Sequence, residues 1–427
     1  MSNPFRTKLI EVKKPPFLNL EQSGGKTSLL KGDFQSPNFA TGEKGWKVDS
    51  DGKAEFTDLQ VSGFIKTVSV GQDIQSAIDY LNAHGGGEVR LDTGTHTLTD
   101  DITLYSGISL VGAGRDNTIL EFSGSANGIL VLGTSKTVPI TNFTLKDFTL
   151  QNSNNVAGID IQHARFWRME NIRVTSCDQI GFRIRGHSTD FYIRDCRSDN
   201  NTGDGFEFSS TGSSNDVEKF SVINCVSDIN GGKGFELTGT PTSGIQNYVF
   251  IGCLSQTNDG IGLDITVTSL ASIRASFISC VVDQNTGVGL NITFSQDISF
   301  IGLISVDGSS SGINLTSCKN ITFKACQSYN NNGYGIELIS GNDSIIFDSN
   351  TILGNSSDGL RLTATSDRNI ISNSNIINNG GYGLNIFAST CDSNLNNGCM
   401  FGENISGAVN NSGTGTLIRS NMGVADN

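Results

Sequence analysis

Three carboxylates stand at the same position of a short motif that recurs along the chain. In each copy a glycine is followed by an apolar residue, the acid and a second apolar residue. The three acids are Glu207, Glu236 and Asp264. If successive copies of the motif form adjacent strands, neighbouring side chains lie about 5 Å apart and next neighbours roughly 10 Å apart. Two carboxyl groups about 5 Å apart support retaining glycoside hydrolysis, and two at about 6.5–9.5 Å support inverting hydrolysis. Because crowded like charges raise one pKa, as a general acid requires, these three residues are the candidate catalytic set.

Two other interpretations of this acidic row stay open. An outward position on a repeated strand is often only a solvated or structural polar residue, and a repeat produces such rows by construction. Three neighbouring acids also suit a bound cation such as calcium. The hydrolytic interpretation needs no metal or other cofactor.

A second cluster combines imidazole and guanidinium groups. His163 and His187 lie one motif apart, and the basic residues near them are Arg165, Arg183 and Arg185. Such groups can neutralise the carboxylate of a uronate or serve as the base of a lyase or epimerase. The simpler interpretation is that both histidines lie on the surface. The candidate substrate-binding residues from this cluster and from the motif row are Arg183, His187, Asp160 and Asn291.

Aromatic side chains stack on sugar rings where they are exposed. The candidates are Phe166, Trp167, Tyr192, Tyr329, Tyr334 and Tyr382. Tyr334 and Tyr382 directly precede a motif glycine, so we expect them at a corner, facing the surface.

The motif itself is the strongest signal in the sequence. The motif glycines are Gly158, Gly181, Gly205, Gly234, Gly262, Gly289, Gly312, Gly335, Gly359 and Gly383, at intervals of 23 to 29 residues. A period in this range indicates a solenoid, and apolar–any–apolar indicates a strand with one face inside and one outside. Each interval has room for three short strands and three bends, which predicts a β-helix. The longer intervals need loops, at 212–215 and 240–244 among others, that could wall a groove beside the three acids.

Two further columns keep the same register. Four residues before the motif glycine stand Asn201, Asn230, Asn258, Asn285, Asn331, Asn355 and Asn379. Asparagine tolerates a left-handed backbone, and its amide can pair with that of the next turn, so we expect an asparagine ladder at one corner, interrupted at Gly308. Nine residues before the glycine stand Cys196, Cys225, Cys253, Cys280 and Cys326. We interpret these as small buried residues that fill a tight corner.

Charge and hydropathy exclude several classes of protein. The net charge of −13 disfavours nucleic acid as a partner. The sequence contains no stretch of about 18 apolar residues, so we predict no membrane-inserted helix. Residues 1–19 lack the apolar core of a secretory signal peptide, so we expect no export by that route.

A helix is predicted before the repeat begins. Ile74, Ala77, Ile78 and Leu81 recur at helical spacing, with Asp73 placed to cap the N-terminus and residues 85–87, all glycine, placed to end the helix. Short strands are expected at 88–91, 94–98, 108–112 and 118–122. A helix at this point would cover the open end of the solenoid and protect its edge.

The run from Ile74 to Phe122 resembles the beginning of the pectate-lyase-like right-handed β-helix superfamily. The matching pieces are the helix and the segments 85–91 (GGGEVRL), 94–98 (GTHTL) and 110–114 (LVGAG). The resemblance implies an all-β fold: a right-handed, single-stranded parallel β-helix. Residues 67–125 would form the capping helix and first coils, and residues 126–427 the repeats with a C-terminal cap. It does not specify an activity, because the superfamily includes lyases, hydrolases, epimerases, adhesins and phage tailspikes.

Residues 37–63 resemble the short β segment that phage tail and fibre proteins place before their receptor-binding part. They predict a hairpin of strands 45–48 and 54–61, which is marginal alone and would be stable in a trimer or docked on a particle. The resemblance implies a virion-attachment and trimerisation segment over residues 1–66. Residues 410–421 are similar to the last coil of phage β-helix proteins.

These resemblances imply a phage virion appendage of the tailspike or fibre type, assembled in the host cytoplasm as a homotrimer. Its expected partners are host surface polysaccharide and, through residues 1–66, other virion proteins. If it is an enzyme, it would be a polysaccharide depolymerase, either a glycoside hydrolase or a lyase. Two alternatives stay open: a stand-alone polysaccharide lyase or epimerase, and a structural virion spike without a ligand.

Overall fold

The computed structural model describes residues 64–422 except 125, 127, 155, 211–215 and 241–243, together with the backbone of five short strands before residue 57. The chain divides into two units, Met1–Ser62 and Gly63–Asn427. In the first unit two antiparallel sheets contain the strands Leu20–Ser23 and Lys26–Leu29, and Phe34–Gln35, Trp46–Val48 and Ala54–Phe56. The predicted hairpin is therefore present between residues 46–48 and 54–56. The rest of its second predicted strand, 57–61, lies outside the described residues.

The second unit is a parallel β-solenoid. Each turn contributes up to three short strands, and each strand pairs in parallel with its equivalent one turn later. The result is three long parallel sheets around one apolar interior. We number them in the order in which the chain passes through them after each motif glycine.

Sheet 1 carries the motif. Its strands are Ile102–Thr103, Ile129–Leu132, Ala157–Gln162, Ile180–Arg185, Phe206–Ser209, Phe235–Gly239, Leu263–Ile278, Leu290–Ile301, Ile313–Thr316, Ile336–Ser340, Leu360–Leu362, Tyr382–Ile386 and Gly407–Asn411. The two longest of these, Leu263–Ile278 and Leu290–Ile301, continue round the corner into sheet 2.

Sheet 2 follows. Its strands are Phe64–Val68, Gly87–Leu91, Ile108–Val111, Ile140–Thr141, Thr144–Gln151, Ala164–Thr175, Ser188–Arg194, Val217–Ile223, Ile245–Ile251, Lys319–Lys324, Ile346–Asp348, Ile370–Ser372, Leu395–Asn397 and Leu417–Arg419, besides the two continuations from sheet 1. Sheet 3 contains Gly94–Leu98, Thr118–Phe122, the second halves of Thr144–Gln151 and Ala164–Thr175, Arg197–Asp199, Val226–Asp228, Leu254–Gln256, Val281–Asp283, Ile304–Val306, Gln327–Tyr329, Thr351–Leu353, Asn375–Ile377 and Met400–Gly402.

The predicted helix is present at Ile74–Ala83. Asp73 caps it as expected, because its Oδ1 accepts the backbone N–H of Ser76 at 3.2 Å. Ile74, Ile78 and Leu81 are buried and join the core at the first turn of the solenoid. All four strands predicted after the helix are present, each within one residue of its predicted ends.

Stacked phenylalanines fill much of the interior. Phe250, Phe277, Phe300, Phe323 and Phe347 follow one another along the axis with ring centroids 4.8 to 5.1 Å apart. This spacing equals the separation of paired strands, so identical side chains on successive turns must stack. Offset stacking of this kind adds to the free energy gained by burying each ring.

The asparagine ladder is confirmed by its side-chain hydrogen bonds. The Nδ2 of Asn201 donates to the Oδ1 of Asn230 at 2.9 Å, and Asn230 donates to Asn258 at the same distance. The ladder continues through Asn285, breaks at Gly308 and resumes at Asn331.

The left-handed backbone that we assigned to the ladder asparagines is elsewhere. It belongs to the residue just before each of them, as in Asn200, Ile229 and Thr257 with φ of 52° to 54°. The bend is made one residue early, which leaves the asparagine itself free to point inward and pair.

The cysteines lie inside the solenoid, as predicted. All nine are buried and free, including the predicted column of Cys196, Cys225, Cys253, Cys280 and Cys326. Burial raises the pKa of the Cys253 thiol well above its usual range, so it stays protonated. These side chains act as small apolar fillers at a corner.

Candidate carboxylate site on sheet 1

The outward row of sheet 1 is continuous and has the predicted register. In order along the axis its members are Asp160, Arg183, Glu207, Glu236, Asp264, Asn291, Asn314, Glu337, Arg361 and Asn385. Glu207, Glu236 and Asp264 therefore lie on three adjacent strands. The periodicity of the sequence was sufficient to predict that these three residues are neighbours.

Each of these three acids has a basic or amide partner. The Nε of Arg183 lies 3.3 Å from Oε1 of Glu207. The Nζ of Lys233 contacts Glu236 and lies 2.6 Å from Oδ2 of Asp264. Asp264 is only 3% exposed, so the acidic row is a partly buried charge network and not a row of solvated carboxylates.

Lys233 was missed in the sequence because it stands outside the motif row. It directly precedes the motif glycine Gly234. Its side chain extends over the row and contacts the acid of its own turn and the acid of the next turn. Its ammonium group takes the place that a metal ion would occupy between Glu236 and Asp264. The cation interpretation therefore does not fit these residues, and no cluster in the described part of the chain has three or more metal-binding side chains suitably placed.

Asp204 is the second residue that the sequence analysis missed. It occupies the same position before Gly205 that Lys233 occupies before Gly234, and its Oδ1 accepts the backbone N–H of Lys233 at 2.6 Å. Burial, and next the carboxylate of Glu236, raise the pKa of Asp204 to about 6. A carboxyl group that stays partly protonated up to about pH 6 has the property required of a general acid.

The predicted substrate-binding residues are held by partners within the chain. Asp160 accepts two hydrogen bonds from Arg185, at 2.9 and 2.8 Å. The Nδ2 of Asn291 donates to Asp264 at 2.8 Å, which extends the charge network by one turn. Together with the Arg183–Glu207 pair and the Lys233 contacts, these contacts fix the orientation of the row over the six turns from Asp160 to Asn291.

The histidines are buried, and the interpretation that they lie on the surface is wrong. His163 is 8% and His187 is 6% exposed. They are adjacent in space, because the backbone N–H of His187 donates to Nδ1 of His163 at 3.0 Å. Burial lowers the pKa of both imidazoles, with Arg185 as the second cause for His163 and Lys136 for His187.

The aromatic candidates divide into exposed and buried groups. Phe166 is 53% exposed and remains available to a ligand. Trp167 is 2% exposed and stacks between Phe143 and Phe191, so it is not among the exposed aromatic rings that could contact a sugar. Tyr329, Tyr334 and Tyr382 are half-buried, and Tyr192 donates to Glu170 at 2.5 Å. The loops predicted at 212–215 and 240–244 fall largely outside the described residues.

The fold and this site define a parallel β-helix with a lateral charge network. The chain matches the family model described as "Right handed beta helix region" over residues 91–250, 127–303 and 271–422. It therefore belongs to this family, and the predicted right-handed coil is confirmed.

Several solved structures share the fold. The A-module of the mannuronan C-5 epimerase AlgE6 of Azotobacter vinelandii is similar with a TM-score of 0.60 and 18% identity, over 83% of this chain and 95% of that module. Tailspike protein 3 of bacteriophage CBA120 is similar with a TM-score of 0.61 and 12% identity, over 84% of this chain and 60% of the tailspike. The N-terminal fragment of gene product 12 of bacteriophage Phi29 is similar with a TM-score of 0.57 and 13% identity, over 80% of this chain and 70% of that fragment.

At such identities the likeness establishes the fold alone. The search of curated protein sequences found no match. Within the described residues, no helix has the length and apolar character needed to cross a bilayer.

Proposed function

We propose that the protein is a phage virion appendage of the tailspike or fibre type that binds host surface polysaccharide and hydrolyses it on sheet 1. The observation that carries the hydrolytic proposal is the pair formed by Asp204 and Glu236, beside the ion-paired Asp264. Support for the appendage comes from the phage proteins of the same fold. The epimerase with the same fold is named for mannuronan, a polysaccharide, and this supports a polysaccharide as the ligand.

The site divides the two tasks of an inverting hydrolase between different acids. Asp204, with a pKa of about 6, donates its proton to the glycosidic oxygen as the bond to the anomeric carbon breaks. Asp264 accepts a proton from the water that attacks the anomeric carbon from the other side. Asp204 stands on the turn of Glu207, two turns from Asp264, which places the two carboxyl groups about 10 Å apart. That separation is slightly above the range of about 6.5–9.5 Å typical of inversion and about twice the separation of about 5 Å typical of retention, so it favours inversion.

The remaining charged groups position these two acids. Glu236 lies on the turn between them. Burial and next the carboxylate of Glu236 raise the pKa of Asp204, and Lys233 provides the counter-charge for Glu236 and Asp264. Arg183 orients Glu207 at the same end of the row. The proposed catalytic residues are thus Asp204 and Asp264, with Glu207 and Glu236 as their neighbours in the same network.

The test is an assay against purified capsular polysaccharides and lipopolysaccharides from a panel of bacteria. Wild type, D204N, E236Q and D264N are compared by chain length and by new reducing ends. We expect wild type to shorten one of these polymers and each variant to be slower by about 100-fold or more. The matched control is E337Q, which changes a glutamate of the same row three turns beyond Asp264 and should leave the rate unchanged.

Other results would support the alternatives. Equal rates for wild type and E236Q would remove the carboxylate site from the proposal. Products with an unsaturated end, lost in His187→Ala, would identify a lyase. Binding without shortening would identify an adhesin, and no binding to any polymer would support a structural spike.

The quaternary part of the proposal is a homotrimer attached to the particle through residues 1–66. Native mass spectrometry of the full chain is expected to give three copies. A monomer would favour a stand-alone enzyme.

A further inference from the structure

We propose that a groove on sheet 2 is a second saccharide-binding site, selective for sugars that carry an anionic group. The groove has a volume of about 580 Å³ and spans several successive turns near the start of the repeat. It lies on a different sheet from the carboxylate site. The proposal therefore does not depend on hydrolysis at Asp204 and Asp264.

One side of the groove is formed by a kink repeated in sheet 2. Asn142, Phe166, Asp190 and Lys219 each have a left-handed backbone with φ of 56° or 57°, one on each of four successive turns. Because a non-glycine residue rarely adopts this conformation, a column of them indicates a sharp bend that the whole sheet shares. These four residues line one side of the groove.

The opposite side of the groove is a register-matched row. Thr144, Arg168, Tyr192 and Ser221 pair in succession across the sheet, two residues after the kink on each turn. Phe143, Trp167 and Phe191 stand between the two sides, and their stacked rings are buried in the core beneath the groove. Polar groups from the two sides thus converge on one concave space, as they do in many ligand sites.

The charge of the groove indicates an anionic ligand. The Nε of Arg168 donates to the Oγ1 of Thr144 at 3.0 Å, and none of the described carboxylates lies within ion-pairing distance of its guanidinium. Lys219, on the other side, pairs with the neighbouring Glu218 at 3.2 Å. The one acid that lines the groove, Asp190, already accepts a hydrogen bond from Thr189 at 2.7 Å and lies 3.9 Å from Arg165.

Among the described residues Arg168 has no carboxylate partner, which is notable in a chain with a net charge of −13. A guanidinium group binds a carboxylate, sulfate or phosphate through a planar pair of N–H groups. Such a group on the ligand would complete the charge balance of the groove.

Phe166 indicates that the anion belongs to a sugar. Its ring is 53% exposed at the edge of the groove, where it offers a flat apolar face. The hydroxyl of Ser221 and the amide of Asn142 line the same space and can bond to sugar hydroxyls. An acidic pyranose presents all three complementary features: an apolar ring face, hydroxyl groups and a negative charge.

Binding to the full chain would be measured by calorimetry with three oligosaccharides of equal length: an oligouronate, a sulfated neutral oligosaccharide and the unmodified neutral oligosaccharide. We expect the oligouronate, the sulfated form or both to bind, with affinity falling as salt is added, and the neutral form not to bind. Which of the two binds identifies the anion. Equal binding of the neutral form, or no binding of either acidic form, would overturn the proposal.

The variants R168Q and F166A should each weaken binding by about tenfold or more. The matched control is R274Q, because Arg274 has the same left-handed backbone further along sheet 2, outside the groove, and bonds only to Gln246 at 2.6 Å. R274Q should bind like wild type. R168K, which keeps the charge but loses the planar pair of N–H groups, should be intermediate, and thermal melting of each variant verifies its fold.

The two proposals fail separately. This one is tested by the affinity of R168Q for the acidic oligosaccharide, and the proposed hydrolysis is tested by chain shortening in D204N and D264N. If R168Q binds as tightly as wild type, the groove is not the site.

Discussion

The ammonium group of Lys233 lies 2.6 Å from Oδ2 of Asp264 on the following turn, and it also contacts Glu236 on its own turn. This cross-turn pair neutralises an acidic row that would otherwise repel itself. It explains how carboxylates can stack on adjacent strands of a solenoid without a metal ion. Asp204 accepts the backbone N–H of Lys233, and burial, followed by the carboxylate of Glu236, raises its pKa to about 6.

Replacing Lys233 should therefore destabilise the protein and create a cation requirement. In K233M the acids of two turns lose their counter-charge, and breaking a partly buried pair of this kind costs about 3 kcal/mol. Calcium should then raise the melting temperature of K233M while leaving wild type unchanged. The control is K319M, because Lys319 makes an exposed pair with Asp343 at 3.7 Å whose loss costs at most about 1 kcal/mol. A melting temperature of K233M equal to that of wild type would contradict the prediction.

The raised pKa of Asp204 predicts a pH-dependent difference between wild type and D204N. The ordinary value is 3.8 and the folded value is about 6. The proton bound by the folded state stabilises wild type fully below about pH 4, and this contribution is lost as the pH rises through about 6. Since an amide cannot ionise, the melting temperature of D204N relative to wild type should increase between pH 4 and pH 7. A difference that stays constant over this range would show that Asp204 titrates normally.

Hydrolysis at the site should follow the same group. If Asp204 donates the proton, the rate should fall as the pH rises above about 6, because the acid form disappears. The rate against pH for wild type, measured on the polymer identified in the panel, tests this. A rate that increases steadily from pH 5 to pH 8 would assign the proton donor elsewhere.

The gap in the asparagine ladder predicts a stabilising substitution. Gly308 has an ordinary backbone conformation, and a Cβ there would come no closer than 3.1 Å to any atom, the Oδ1 of Asn331. In G308N the new amide should donate to Asn331 and accept from the backbone N–H of Asn285, as at the other turns. We expect a gain of about 1 kcal/mol in the free energy of unfolding. G308A is the control, because it removes the glycine without adding the amide and should gain less.

A single cavity in the phenylalanine column should lower the free energy of unfolding. Phe300 is fully buried and stacks on Phe277 and Phe323, at 4.8 Å in each case. F300A should cost about 3–5 kcal/mol, and F300L should cost less because it refills most of the volume. Chemical denaturation of the three proteins provides the measurement. A cost for F300A below about 1 kcal/mol would mean that the turns can collapse around the gap.

The sequence by itself determined which residues are neighbours along the axis. A nearly constant turn length forces residues one period apart onto adjacent strands, so the row from Asp160 to Asn385 and the asparagine ladder could be predicted in register. The capped helix at Ile74–Ala83 was predictable because helical spacing and capping are local in the sequence. None of these required knowledge of how the three sheets meet.

Tertiary structure decided what happens at the corners and kinks. Asp204 and Lys233 precede the motif glycine by one residue, and only the backbone angles at that corner bring their side chains over the acidic row. The burial of His187 and the groove beside Arg168 likewise depend on where each strand bends. Periodicity specifies distance along the axis, whereas the lateral reach of a side chain depends on dihedral angles that the repeat does not encode.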